Sequence, residues 1–202
     1  MENIINNEVL NAAMSYQTYT KLIEDLLAQG KTTGNIQNEE YLKYTELNFH
    51  RMKRLDKTSS INNELKEVLQ KIKKPLVWLV LSEAWCGDAA QNLPLLNKMT
   101  EENAENISLK IILRDENLAI MDKYLTNGGR SIPKLIILKK DTLEEIATWG
   151  PRPEPIQKLM QALKTEGIKD YKIIAEKVQR AYNEDKNNSI QAEFLQLLEN
   201  NV

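Results

Sequence analysis

The sequence has little of what most catalytic sites are built from. Among 202 residues there is one cysteine, Cys86, and one histidine, His50. One thiol and one imidazole cannot complete a four-ligand structural zinc site, so no metal is expected. A single cysteine also excludes an internal disulfide, and nothing in it calls for an oxidising compartment. No apolar run nears the roughly 20 residues that span a bilayer. The opening residues, MENIINNEVLNAAMSYQ, lack the basic and apolar regions of a secretory leader. Basic excess is missing too. With 27 Lys and Arg against 29 Asp and Glu, the net charge is −2, which excludes the footprint of a general nucleic-acid binder. Neither GxxxxGK[ST] nor GxGxxG occurs, and no cofactor is expected. A cytoplasmic globular protein with no membrane or nucleic-acid partner is the expectation.

What is present is a clear alternation of patterns. Residues 8–29 place Val9, Ala12 or Ala13, Tyr16, Tyr19, Ile23 and Leu26 on one helical face, closed by Gly30. Asn38 caps a second helix with Glu39 and Glu40 in its first turn, where the dipole favours carboxylates. No strand is expected in the first 58 residues. A short helix over 62–71 precedes LVWLVL at 76–81, an apolar run that fits a strand covered on both faces. A helix to about Glu102 follows, then a strand ISLKIIL and a helix ENLAIMDKYL that Asp115 can cap. Two strands, 134–140 and 142–150, are joined through a tight connection at Lys140 and Asp141. A helix with prolines in its first turn spans 153–167, and two more helical patterns fill residues 169–202. The order predicts an α/β fold with a mixed central sheet flanked by helices.

The lone thiol lies in SEAWCGDAAQNLP, residues 82–94, just past an apolar strand and at the start of a helix. Free N–H groups and the positive end of the helix dipole favour a thiolate there. Gly87 leaves room for a partner sulfur, and Trp85 offers a flat apolar surface. A second stretch, GGRSIPKLIIL, sets Ser131, Ile132 and Pro133 directly before a strand. Most lone cysteines are small buried hydrophobes, and a proline opening a strand has an ordinary structural use. The two stretches together, in this β-α-β-α-β-β-α order, resemble the thioredoxin family over roughly residues 61–166. Pro94 matches that family's helix-kinking proline, 115–117 its stretch after the next strand, and ATWGP its glycine turn. The resemblance implies a thioredoxin-like domain over 59–166 with helical extensions at 1–58 and 167–202. It implies Cys86 as the catalytic thiol, supported by Trp85, Gly87 and Asp88, with Ser131, Ile132 and a cis Pro133 docking the substrate.

The sequence departs from that pattern where it matters chemically. Ala89 stands at the place of the family's second, resolving cysteine, so a mixed disulfide at Cys86 needs an outside thiol for release. Val80 replaces the family's buried acid. Asp88 replaces its usual proline, where the carboxylate opposes the helix dipole by raising the thiol's pKa. Arg130 and the basic surroundings of His50 are candidate sources of compensating positive charge. Three functions stay open. One is monothiol exchange with a protein or a low-molecular-weight thiol or disulfide, another a redox-inactive binding or scaffold protein, and the third a thiol that senses oxidant. The apolar stripes of the extensions also offer a homodimer surface.

Overall fold

The computed structural model describes residues 4–201. The run LVWLVLS forms β1 (Leu76–Ser82), and all seven residues are buried. A strand with no polar alternation needs cover on both faces, which makes it central. It pairs in parallel with β2 (Ile107–Leu113) and antiparallel with β3 (Lys134–Lys139). β4 (Glu145–Trp149) pairs antiparallel with β3, so the sheet order is β2-β1-β3-β4. Parallel neighbours require a long crossover, and α5 (Gly87–Glu101) supplies it between β1 and β2. This is the mixed sheet flanked by helices that the sequence predicts.

Four local expectations are corrected. The single helix expected at 8–29 is two, α1 (Asn7–Ala12) and α2 (Tyr16–Ala28). The Ser15 hydroxyl accepts the Thr18 N–H at 3.1 Å and so starts a new helix. Between the two, Met14 and Ile111 exchange both backbone hydrogen bonds at 2.8 Å. The N-terminal region therefore does contribute a strand-like bridge, because the outer edge of β2 offers unpaired backbone groups. Asp115 caps no helix. Its N–H donates to Glu83 Oε1 at 2.9 Å and its carboxylate pairs with Arg114 at 2.7 Å. Residues 114–116 form a 3-10 turn and α6 is only Leu118–Met121. The β3–β4 connection is longer than a tight turn, since β4 begins at Glu145. Asp141 Oδ1 accepts the Thr142 N–H at 2.8 Å, and such side-chain bonds hold a wider loop open.

The remaining helices are α3 (Glu39–Thr58), α4 (Asn63–Lys71), α7 (Glu154–Thr165), α8 (Tyr171–Asp185) and α9 (Asn188–Asn201). Asn38 caps α3, accepting the Tyr41 N–H at 2.8 Å as the sequence predicts. One continuous core runs from Ile5 and Leu10 through the sheet to Ile190, Phe194 and Leu198 of α9. The Phe194 ring lies 5.2 Å from Trp78 of β1 and 5.4 Å from Trp149 of β4. A smaller cluster joins Ile156 and Leu163 of α7 to Ile174, Val178 and Tyr182 of α8. That cluster anchors α8 beside the N-terminus of α5, where Cys86 sits.

Candidate functional site

Cys86 is the N-cap of α5. After β1 the chain turns, with the Cys86 N–H donating to the Glu83 carbonyl at 3.1 Å. The Ala89 N–H donates to Cys86 Sγ at 3.4 Å, and the thiol donates to the Ile132 carbonyl at 3.2 Å. The side chain is buried, with 8% of the residue exposed. Ile132 and Pro133 are buried beside it and joined by a cis peptide, while Ser131 is half-buried. Behind the loop, Gly150 at φ +108 passes so close that a Cβ there would stand 2.3 Å from the Pro133 carbonyl oxygen.

Asp88 does not face the thiol with its charge unanswered. Arg152 donates to its Oδ2 at 2.5 Å, and the Tyr182 hydroxyl donates to its Oδ1 at 2.8 Å. Asn92 Nδ2 bonds both the Asp88 carbonyl, at 2.8 Å, and the Tyr182 oxygen, at 3.1 Å. Burial works against the Arg152 charge, but Asp88 more than offsets it and holds the guanidinium above its ordinary pKa. For the thiol, burial is the dominant influence. Burial, then Asp88, pushes Cys86 up to about 12, against the pull of the Ala89 and Asp88 N–H groups and of Arg152.

Burial also keeps protons on Tyr16, Tyr19 and Tyr182, raising each. The folded state thus retains protons that the unfolded chain releases above about pH 8.5 for cysteine and about 10 for tyrosine. Stability from these groups is intact below pH 8.5 and declines as pH rises. The urea midpoint should fall between pH 8 and 10.5, with Cys86→Ser removing the earliest part of the fall. A midpoint constant across that range would contradict the assignment.

A cleft of about 940 Å³ opens over Cys86. Its walls are α3, with Tyr44, Leu47 and Arg51, and α8, with Tyr171, Ile174 and Gln179; Trp85, Cys86, Gly87 and Asp88 also line it. The Tyr44 and Tyr171 rings meet edge-on across it, centroids 5.9 Å apart. Trp85 is half-buried, with the Tyr41 ring at 4.9 Å and the Arg114 guanidinium 4.8 Å from its centroid. Gly87 leaves little spare room, since a Cβ would lie 3.0 Å from Gln179 Nε2. Ser131, Ile132 and Pro133 lie behind the thiol and are not among the residues lining the cleft.

A sequence profile described as Thioredoxin matches residues 34–164. The chain belongs to the thioredoxin family. Thioredoxin of Bacillus subtilis (strain 168) is 30% identical over 76 residues, covering 38% of this chain and 70% of that protein. Among solved structures, a protein of unknown function from Pseudomonas aeruginosa shares the fold with a TM-score of 0.60 at 16% identity, covering 96% of each chain. An HIV epitope-scaffold matches equally, at 0.60 and 16%, covering 96% of this chain and 98% of its own. Both likenesses take in the helices outside the thioredoxin-like sheet.

Against that family pattern, the positive charge comes in part from the flagged surroundings of His50, where Arg51 lines the cleft, and in part from Arg152, which the sequence did not flag. Arg130 is exposed and forms a two-bond pair with Asp122, at 2.6 and 2.8 Å. His50 is exposed on α3 and does not line the cleft, whereas its neighbour Arg51 does. Arg152 holds Asp88 instead. It stands two residues beyond the glycine of ATWGP, and that proximity to the family's glycine turn was the available signal. Val80 is fully buried in β1, with no acid in its place.

Proposed function

We propose that the protein carries out thiol–disulfide exchange by a monothiol route through Cys86. The Cys86 proton goes to a solvent base, and the thiolate attacks one sulfur of a disulfide R–S–S–R. One RS⁻ leaves and takes a proton from water, while the other half stays as a mixed disulfide on Cys86. An outside thiolate then attacks that half's sulfur and restores Cys86. The observation that carries this reading is the position of Cys86, a residue lining the cleft at the start of α5, with its Sγ accepting the Ala89 N–H. The Ala89 methyl occupies the position from which a second thiol would resolve the intermediate. Ile132 contributes by holding the thiol in place through its carbonyl.

A thiol pushed up to about 12 is a slow nucleophile at neutral pH. Alkylation of Cys86 by iodoacetamide should rise about tenfold per pH unit from 7 to 10, with no plateau near the ordinary value of about 8.5. Mixed-disulfide formation, read by mass spectrometry, should follow the same profile and vanish in Cys86→Ser. The same high pKa favours a second reading, a binding protein without turnover. That reading gains if no mixed disulfide forms at pH 10 although the fold is intact there by circular dichroism. A plateau near pH 8 would show instead that burial does not govern the thiol.

A further inference from the structure

The cleft over Cys86 contains a cation that no carboxylate pairs with directly; Asp88 acts on it only at longer range. Arg51, on the fourth turn of α3, donates from Nη1 to Asn48 Oδ1 at 2.5 Å, and Asn48 in turn donates to the Ala84 carbonyl at 3.1 Å. Among the described residues Arg51 forms no ion pair. The other four of its five N–H donors carry no protein hydrogen bond among those residues. Its Nη1 lies 3.9 Å from where a Cβ on Gly87 would stand, so the charge sits one residue from the thiol. Asp88 is the acid nearest the thiol along the chain, and both its oxygens are already taken by Arg152 and Tyr182.

At the mouth the signs are mixed, with Glu39, Glu40 and Glu176 beside Lys43, Lys172 and Arg180. Lys43 pairs with Glu39 at 3.6 Å and Arg180 with Glu184 at 2.9 Å. That mixture selects no charge, so selection falls to the floor. The volume, about 940 Å³, suits a small molecule. The helices α3 and α8 contribute residues to the cleft beside the thiol, which favours a small reagent over a disulfide on the surface of a folded protein.

We propose that the exchange partner of Cys86 is a low-molecular-weight disulfide or thiol bearing a carboxylate, whose anionic end is held by Arg51. This rests on the exchange reading above. In the step, the retained half of the disulfide keeps its carboxylate on Arg51 while its sulfur is bonded to Cys86. The leaving half departs as a thiolate, and a second thiol of the same class releases the product.

The test uses three small disulfides on the intact protein at pH 9: 3,3′-dithiodipropionate, bis(2-hydroxyethyl) disulfide and cystamine. Rates of mixed-disulfide formation are normalised to those of free cysteine with the same reagents. The anionic reagent should exceed the neutral one at least tenfold and cystamine by more. In Arg51→Gln the anionic-to-neutral ratio should collapse towards one, and Arg51→Lys should retain part of it. Equal ratios in wild type and Arg51→Gln, or a preference for the neutral or cationic reagent, would overturn the proposal. Calorimetry of dithiodipropionate binding to Cys86→Ser separates the two readings. Binding there that is lost in Cys86→Ser/Arg51→Gln supports the anion site even if exchange fails, and no binding to Cys86→Ser overturns it.

Discussion

Gly150→Ala should destabilise the protein by about 3 kcal/mol or more, at the upper end of single substitutions. Two separate effects add. At φ +108 the backbone lies in a region that L side chains rarely adopt. The new Cβ would also fall 2.3 Å from the Pro133 carbonyl oxygen and 3.3 Å from its carbon. Those are backbone atoms, and they cannot swing aside as a side chain would. Lys134 follows directly and opens β3, which is paired with β1 on one side and β4 on the other. The loop that holds the Cys86 thiol would have to move instead, so alkylation of Cys86 should quicken as its bond to Ile132 is disturbed. Denaturant midpoints for the two proteins, with unchanged m-values, measure the loss. A change below 1 kcal/mol would mean the loop yields freely.

Arg152→Gln should cost about 3 kcal/mol, the scale of removing one partner from a buried ion pair. Each side chain of the Arg152–Asp88 pair is only 12% exposed, so solvent does little to screen the charge left behind. The remaining Asp88 carboxylate would also stand without its ion-pair partner near the thiol, and the Cys86 alkylation profile should shift to higher pH. Asp88→Asn in the same chain should recover part of the stability, because the double variant has no unpaired charge. That recovery is what distinguishes a charge effect from lost packing. Additive losses across the cycle would refute the pairing.

Much of the sheet was legible because its signals are local. The run at β1 has no polar residue before Ser82, and ISLKIIL gave β2 its bounds as observed. The boundaries that slipped were those where one side chain overrides periodicity. Ser15 interrupts an apolar stripe that by itself reads as one helix, and Asp115 is diverted from capping by Arg114 and Glu83. The thiol's place at the start of α5 was also legible. Its electrostatics were not, because the sequence sets the dipole against Asp88 while burial outweighs both. Burial at Cys86 depends on walls contributed by α3 and α8, far away along the chain. For the same reason Arg51 and Arg152 could not be ranked above His50 and Arg130 from spacing alone.

The Phe194 ring that covers Trp78 and Trp149 comes from near the far end of the chain. On the ribosome this imposes an order. At about 5–20 residues per second, synthesis separates Trp78 from its cover by on the order of ten seconds. Throughout that interval the Trp78 indole lacks the ring that packs against it in the folded protein. The nascent chain therefore cannot complete the cover of its central strand until translation has passed Phe194, and the cell's chaperones have that long to meet it.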